Sequence, residues 1–178
     1  MRKLKLDELN RLSKEEYATT NKIPVVVVLD NIRSAMNVGS VFRSSDAFKI
    51  ERIILTGITA RPPHKEILKT AIGASQTVDW SYFESVIDAI SQLKNSHYQI
   101  IGIEQTDQSI DIRDIIVNTQ NKYAIILGNE VNGISDEILG ELDYSVEIPQ
   151  YGTKHSLNVS VCAGIVIWHF AQPFLDKH

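Results

Sequence analysis

The chain is poor in the features that mark several common protein classes. Its single cysteine, Cys162, excludes an internal disulfide and provides no cysteine cluster for a metal. No apolar run approaches the length of a membrane-spanning helix, and the run from Ile23 to Leu29, for example, has seven residues. The N-terminus has no signal-peptide core, so we expect a cytoplasmic protein with no membrane association.

Sequence motifs of common nucleotide and hydrolase sites are also missing. Neither G-x-G-x-x-G nor G-x-x-x-x-G-K-[ST] occurs, which argues against dinucleotide and phosphate-loop enzymes. The G-x-S-x-G elbow of many hydrolases is absent as well. The five histidines have no metal-ligand spacing, so we expect no metal site.

Charge is spread unevenly along the chain. The net charge of −4 argues against a generally basic surface for nucleic acid. Residues 1–70, however, hold 13 Lys and Arg against 8 Asp and Glu, whereas residues 101–150 hold 2 against 10. This asymmetry allows a local basic face on an acidic protein, although an ordinary mixed surface explains it as well.

Apolar strand-like runs alternate with helix-like patterns, which is typical of an α/β fold with a mainly parallel sheet flanked by helices. The clearest strand is Pro24 to Leu29, because four valines in a row suit both faces of a central strand. We expect an N-terminal extension at 1–22, helical in part, and a single domain at 23–178. The other predicted strands are 52–57, 76–80, 98–103, 123–127 and 144–148, and the predicted helices are 37–48, 65–71, 84–93, 135–142 and 157–170.

Three segments share one design, in which an apolar strand ends in small and polar residues before a helix. They are 31–43, 125–134 and 148–161. In open α/β sheets, ligands bind at the carboxyl ends of the strands. The three segments therefore place carboxamides, two arginines and one carboxylate where a ligand would bind.

The same segments resemble the signature motifs of the SpoU-type (TrmH-like) RNA ribose 2′-O-methyltransferases of the SPOUT superfamily. Three ordered motifs at compatible spacing are far more specific than any one of them alone. The resemblance covers about residues 24–171. The matching residues are Asn37-Val-Gly39 with Arg43, Leu127-Gly-Asn-Glu130 with Gly133, Ile148-Pro149 with Ser156-Leu-Asn-Val-Ser160, and the accessory segment Lys69-Thr-Ala-Ile-Gly-Ala74.

The resemblance implies methyl transfer from S-adenosylmethionine to a ribose 2′-hydroxyl of RNA, with tRNA favoured over rRNA. It also implies a C-terminal trefoil knot and a homodimer whose active site is shared between subunits. Two alternatives remain open, namely a non-catalytic RNA-binding module of the same fold and an α/β enzyme that acts on a small nucleotide. The intact polar motif residues argue against the first, and the absent phosphate-loop motifs argue against the second.

A ribose hydroxyl is a weak nucleophile, so its site must hold it in line and favour its deprotonated form. The planar donors of Arg43 can fix a neighbouring phosphate and stabilise a developing alkoxide. We expect Glu130 to pair with Arg43 or with substrate, unless it is simply a solvent-facing loop acid. Asn37 and Ser156 suit helix caps as well as functional contacts. The expected catalytic set is Arg43, Asn37, Glu130, Ser156 and Asn158.

The expected S-adenosylmethionine pocket combines glycines, which allow close approach of the backbone, with apolar contacts to adenine. Its residues are Gln105, Thr106, Leu127, Gly128, Gly133, Ile148 and Leu157. The expected phosphate contacts to RNA are Arg33, Arg61, His64, Lys65 and Lys69.

Two further expectations concern surfaces. Tyr151 either stacks on an unpaired RNA base or covers the cofactor pocket. The helix from Leu157 to Phe170 is apolar nearly all round, which predicts burial on more than one side. A second subunit is the natural second cover for such a helix in a small domain.

Overall fold

Parallel strands form the centre of the protein, whose computed structural model describes residues 1–175. The strands are β1 (Ile23–Asp30), β2 (Ile50–Thr56), β3 (Asp79–Phe83), β4 (Tyr98–Ile103), β5 (Ile110–Asp111), β6 (Lys122–Leu127) and β7 (Tyr144–Glu147). The α-helices are α1 (Lys14–Thr19), α2 (Ala35–Ala47), α3 (Lys65–Ala71), α4 (Val86–Asn95), α5 (Asp136–Leu139) and α6 (Val159–Ala171). Short 3-10 helices cover Leu6–Leu9, Ala74–Gln76, Ile112–Asp114 and Gln172–Phe174.

The strands pair in the order β3-β2-β1-β6-β4-β7-β5, and every neighbouring pair is parallel. Side chains alternate along β1, so that Val25 and Val27 face one apolar cluster while Val26 and Val28 face another. Helices α2, α3 and α6 cover the first face, and α4 and α5 cover the second. The α/β fold with a parallel sheet flanked by helices is therefore confirmed.

Several element boundaries differ from the sequence-based prediction. The strand predicted at 76–80 begins at Asp79, because residues 74–76 form a 3-10 turn first. The two-residue strand β5 was not predicted, since it is too short to show alternation. The helix predicted at 135–142 keeps only Asp136–Leu139, because the chain leaves the helix at Gly140. The trefoil knot stays a prediction from the resemblance.

The carboxyl ends of β1, β2, β4, β6 and β7 meet at one edge of the sheet, because parallel strands all end on the same side. The fully buried carboxylate of Asp30 ties this edge together. It accepts hydrogen bonds from Asn31 Nδ2 at 2.8 Å, Thr56 Oγ1 at 3.0 Å and Ser135 Oγ at 2.8 Å. These donors satisfy buried polar oxygens that would otherwise be costly. They also link the end of β1 to the end of β2 and to the segment before α5.

The N-terminal extension packs on the domain chiefly through Tyr17, which is buried. Ser13 caps α1 by accepting a hydrogen bond from the Glu16 N–H at 3.2 Å, and Lys14 Nζ donates to Gln76 Oε1 at 2.8 Å. Among the described residues, no helix has the combination of length and apolar character that crossing a bilayer requires.

Candidate active site

A cavity of about 330 Å³ opens at the carboxyl ends of β4, β6 and β7. Its lining combines apolar side chains with carboxylate, carboxamide, imidazole and hydroxyl groups. The apolar lining is Ile103, Leu127, Val131, Val146, Ile148, Leu157 and Val159. The remaining lining is Glu104, Gln105, Gly128, Asn129, Glu130, Gly133, Glu147, Gln150, His155, Ser156 and Cys162.

A tight loop after β6 forms one wall of this cavity. Asn129 and Gly133 exchange backbone hydrogen bonds of 2.9 Å each, and Gly133 has a φ of +70°, which favours glycine. Asn129 fastens the loop to the end of β1 by donating from Nδ2 to the Asn31 carbonyl at 2.7 Å. A Cβ on Gly128 would lie 2.3 Å from the Ile134 nitrogen, so only glycine fits there.

Glu104, directly after β4, holds the other end of the same loop. Its Oε2 accepts from the Ile134 N–H at 3.0 Å, and its Oε1 accepts from the Gln105 N–H at 2.9 Å. Sequence reasoning did not find Glu104. The signal was present, because Glu104 occupies a strand-end position like that of Glu130.

The carboxylate of Glu130 lies beside the first turn of α2. It accepts hydrogen bonds from the backbone N–H groups of Arg33 at 2.9 Å and Ser34 at 3.1 Å, and from Asn37 Nδ2 at 3.2 Å. Burial raises the pKa of Glu130, but these hydrogen bonds outweigh it and hold the pKa below its ordinary value. Glu130 is thus held as an anion beside the second motif's glycines.

Asn158 joins the third motif to this network. Its Nδ2 donates to Asn37 Oδ1 at 3.2 Å. Its Oδ1 accepts from the Ser160 N–H at 2.9 Å, which makes Asn158 the N-cap of α6. The structure therefore brings Asn37, Glu130 and Asn158 together, and Ser156 lines the cavity without capping the helix.

Arg43 does not join them. It lies six residues after Asn37 on α2, which is about 240° further around the helix and about 9 Å further along it. It lines a separate cavity of about 260 Å³ beside Tyr17. Within one chain, Glu130 has the α2 backbone and Asn37 as its partners and does not pair with Arg43. Its pairing with substrate, or with Arg43 of a second subunit, stays a prediction.

The cofactor residues predicted from the sequence fall almost entirely into the first cavity. Six of the seven line it: Gln105, Leu127, Gly128, Gly133, Ile148 and Leu157. Thr106 does not, because its hydroxyl hydrogen-bonds the Ser145 hydroxyl at 2.7 Å. Cys162 also lines the cavity, and burial, with Glu104 nearby, raises the pKa of its thiol to about 11. The neutral thiol is therefore a wall of the cavity and not a nucleophile.

The residues predicted to contact RNA are spread over two places. Arg33 lies exposed next to the Glu130 network, whereas the other four lie in the loop after β2 and on α3. The guanidinium of Arg61 stacks 4.1 Å from the centre of the Tyr82 ring, and His64 caps α3 by accepting from the Glu66 N–H at 3.3 Å. Lys65 and Lys69 are exposed on α3.

Two surface features bear on the remaining expectations. Tyr151 is 85% exposed and is absent from the cavity lining, so it does not cover the cavity. One side of helix α6 is buried against α2 and the sheet. Its other side, together with the residue before its N-cap, exposes an apolar stripe of Leu157, Val161, Ile165 and Trp168. Across residues 1–175, no three His, Cys, Asp or Glu side chains are grouped as metal ligands.

Comparison with known proteins gives one consistent family. The sequence profile of the SpoU rRNA Methylase family matches residues 24–168. An uncharacterized tRNA/rRNA methyltransferase of Borreliella burgdorferi is 34% identical over 147 residues, which are 83% of this chain and 63% of that protein. A tRNA (guanosine(18)-2′-O)-methyltransferase of the same organism is 30% identical over 141 residues, 79% of this chain and 63% of that protein.

The fold agrees with this match. The crystal structure of an AdoMet-bound rRNA methyltransferase from Sinorhizobium meliloti superposes with a TM-score of 0.80 at 25% identity, over 93% of this chain and 62% of that one. The chain thus spans less than two thirds of the length of these relatives.

Proposed function

Because the chain belongs to the SpoU rRNA Methylase family, we propose that it methylates a ribose 2′-hydroxyl of RNA with S-adenosylmethionine as the methyl donor. The observation that carries this proposal is the network of Asn37, Glu130 and Asn158 beside a cavity built from the second and third motifs, which Glu130 lines. Three segments far apart in sequence supply these side chains, so their meeting depends on the whole fold.

The cavity fits S-adenosylmethionine chemically. Leu127, Ile148 and Leu157 offer apolar walls for an adenine ring, and the backbone around Gly128 and Gly133 can approach the ligand closely. The carboxylates of Glu104, Glu130 and Glu147 lie in the same lining and suit a ligand with positive sulfonium and ammonium groups. When bound, this cofactor supplies the electrophilic methyl group.

The polar residues are proposed to orient the acceptor ribose. The Asn37 carboxamide is held by Glu130 and Asn158, and the Asn158 carboxamide by Asn37 and the first turn of α6, so both are preorganised to hold a hydroxyl beside the cavity. Ser156 adds a hydroxyl to the same wall. The guanidinium of Arg43 would fix the neighbouring RNA phosphate and stabilise the alkoxide as it forms.

We propose that Arg43 reaches the site from a second subunit of a homodimer. Arg43 lies in the lining of the other cavity and not with Asn37 and Glu130 of its own chain. The exposed apolar stripe of Leu157, Val161, Ile165 and Trp168 supplies a surface that water disfavours. Packing this stripe against its copy about a two-fold axis is the commonest way to cover such a face.

We further propose that the RNA is tRNA rather than rRNA, and that the protein acts in the cytoplasm. The contacts to phosphate would come from Arg33, Arg61, His64, Lys65 and Lys69, of which Arg33, Arg61, Lys65 and Lys69 are exposed. Tyr151, being exposed, is available to stack on an unpaired base. Residues 23–178 would form the methyltransferase domain, and residues 1–22 an extension.

The decisive experiment measures cofactor binding and methyl transfer on one preparation. Calorimetry should show that S-adenosylmethionine binds and that ATP and NAD do not. Labelled methyl should then pass to bulk tRNA, and alkaline digestion should leave the labelled position uncut because a 2′-O-methyl group blocks cleavage. Binding of cofactor and RNA without any transfer to tRNA or rRNA would instead support a non-catalytic binding module.

A further inference from the structure

A second cavity, of about 260 Å³, lies between the N-terminal extension and the first motif helix. Three segments surround it: the stretch from Leu12 to Tyr17, the α2 residues Arg43 and Asp46, and the turn from Ala71 to Thr77. It shares no lining residue with the cavity described above. Its volume is slightly below the roughly 300–1,000 Å³ of pockets that enclose drug-sized ligands, so it suits a group smaller than such a ligand.

Tyr17 is the unusual member of this lining. The residue is 6% exposed, and its buried hydroxyl has no hydrogen-bond partner among the described residues. Most buried hydroxyls in folded proteins are paired, so an unpaired one requires an explanation. Burial, with Asp46 and Asp79 nearby, raises the pKa of Tyr17 above its ordinary value, so the hydroxyl stays protonated and can donate.

The neighbours of Tyr17 restrict what the hydroxyl can meet. Lys22 Nζ donates to the Tyr17 backbone carbonyl and lies 3.8 Å from the centre of its ring, which fixes the ring in place. Asp46 Oδ1 is already taken by the Thr77 hydroxyl at 2.5 Å. The hydroxyl is therefore a fixed donor without an internal acceptor.

The rest of the lining indicates the chemistry of a ligand. Arg43 and Lys14 contribute positive charge, Asp46 contributes a carboxylate, and Ala71, Ile72 and Ala74 contribute apolar surface. A carboxylate disfavours a bare phosphate in the interior of the cavity. An uncharged ring with acceptor atoms, attached to a phosphate outside, matches this combination better, and a nucleobase within RNA is such a group.

We propose that this cavity binds one base of the substrate RNA, with the Tyr17 hydroxyl donating to an acceptor atom of the base and the nucleotide's phosphate beside Arg43. The inference rests on the proposed function, because it takes RNA as the ligand. It assigns the N-terminal extension a part in reading the RNA. Tyr17 is then a specificity residue that acts on substrate binding and not on the transfer step.

The substitution Tyr17→Phe tests this assignment, because it keeps the ring and removes only the hydroxyl. Fluorescence anisotropy with bulk tRNA and bulk rRNA should show a Kd about three- to tenfold higher for the preferred RNA, the size of one hydrogen bond between neutral groups. The KM for RNA should rise in step, while kcat and S-adenosylmethionine affinity stay near the wild-type values. The Tm should stay the same or rise, because an unpaired buried hydroxyl is removed.

Tyr98→Phe is the matched control. Tyr98 is also 6% exposed, but its hydroxyl donates to Glu51 Oε1 at 2.6 Å and lies outside both cavities. This variant should lower the Tm and leave RNA affinity unchanged. The two variants should therefore differ in opposite ways: Tyr17→Phe weakens RNA binding without lowering the Tm, and Tyr98→Phe lowers the Tm without weakening RNA binding.

A second pair of variants fills the cavity from outside. Leu12 lines it and is 49% exposed, so Leu12→Trp adds bulk there without entering the core. Leu4, which is 58% exposed and absent from the lining, provides Leu4→Trp as the control. Weaker RNA binding by Leu12→Trp, together with unchanged binding by Leu4→Trp, supports the subsite.

Wild-type RNA affinity in both Tyr17→Phe and Leu12→Trp would overturn the inference and leave the proposed function standing. A change of mass of Tyr17→Phe in light scattering would also overturn it, because a second copy of the chain would then be the occupant. If the wild-type protein binds RNA but transfers no methyl group, the proposed function fails, and the binding measurements still decide the subsite.

Discussion

Asn37 and Asn158 are 121 positions apart in the chain, and their carboxamides share a hydrogen bond of 3.2 Å. Asn37 also donates to Glu130, so it is the central member of a chain of three side chains from three motifs. The first turns of α2 and α6 therefore hold a fixed distance from each other. This geometry is the structural reason for expecting the three motifs to act as one site.

Asn37→Asp should break this arrangement. In the wild type, Asn37 Nδ2 donates a hydrogen bond of 3.2 Å to the Glu130 carboxylate. In the variant, a second carboxylate would take the place of this donor and repel Glu130. We expect a loss of about 1 kcal/mol or more in the free energy of unfolding at neutral pH, and methyl transfer lowered by at least about tenfold. Urea unfolding and a methyl-transfer assay measure the two effects.

Asn95→Asp is the control for that variant, because Asn95 is exposed near the end of α4 and lies outside both cavities. It should leave transfer unchanged. If Asn37→Asp were as active and as stable as Asn95→Asp, the network would have no role in holding the site.

Gly128→Ala should weaken cofactor binding strongly. A Cβ at this position would lie 2.3 Å from the carbonyl carbon of Gly133, so the loop backbone must move. Sequence reasoning also singled out Gly128, but as a position where the backbone approaches the ligand closely and not as one where the loop itself leaves no room. We expect at least about a tenfold loss of S-adenosylmethionine affinity in calorimetry, since the loop forms a wall of the cavity.

Gly140→Ala is the matched control for the loop glycine, because a Cβ there meets nothing within 4 Å and its φ of −72° suits alanine. Its cofactor affinity should equal that of the wild type. Equal affinities in Gly128→Ala and Gly140→Ala would contradict the assignment of the cavity.

The sheet and its binding edge could be predicted because their signals are local. Val25 to Val28 form a run that only a doubly covered strand accommodates, and the motif residues follow strand ends. The position of Arg43 relative to Glu130 could not be predicted, because it depends on which face of α2 meets the sheet. Glu104 also follows a strand end, but it was missed because it belongs to none of the three motifs.

Glu130→Gln should show a pH-dependent effect on stability. The pKa of Glu130 is lowered in the folded protein, since hydrogen bonds to the charged form outweigh burial. Such a carboxylate stabilises the fold fully when the pH is above the pKa that the group has in the unfolded chain. This contribution is lost as the pH falls through the lower pKa that the group has in the folded protein. The wild type should therefore exceed Glu130→Gln in free energy of unfolding at neutral pH.

That difference should shrink as the pH falls below the ordinary carboxyl pKa of 4.5. Urea unfolding of both proteins across this range provides the measurement. A difference independent of pH would mean that the Glu130 charge contributes nothing to the fold.

The charge of the cavity predicts a preference between cofactor and product. The described residues that line it include three glutamates and no Lys or Arg. S-adenosylmethionine has a positive sulfonium that S-adenosylhomocysteine lacks, so the cavity should favour the cofactor. Glu104 and Glu130 are held by backbone N–H groups, which leaves Glu147 as the carboxylate to substitute.

Glu147→Gln should therefore weaken S-adenosylmethionine binding by about two- to fivefold and change S-adenosylhomocysteine binding less. Calorimetry at low and high salt gives both affinities. Glu137→Gln, an exposed acid on α5 outside the lining, is the control. Equal losses for both ligands would show that Glu147 acts through packing and not through charge.

Mixed dimers test whether Arg43 acts across the subunit boundary. Arg43→Ala alone should keep cofactor binding, because the cavity of the second and third motifs is intact, but lose about a hundredfold or more in transfer. Arg43→Lys should not restore it, since an ammonium lacks the planar fork. Gly128→Ala should have the opposite defect, with Arg43 intact and the cavity disrupted.

A hybrid of one Arg43→Ala subunit and one Gly128→Ala subunit then separates the two geometries. If Arg43 serves the partner's cavity, the intact cavity of the first subunit meets the intact arginine of the second, and one of the two sites is restored. Hybrids purified through two different tags should therefore regain about half of the wild-type activity. If Arg43 serves its own cavity, both sites stay defective and the hybrid is as inactive as its parents.

A monomeric mass in light scattering at micromolar concentration would contradict the shared site directly, because the exposed stripe on α6 would then have no second subunit to cover it.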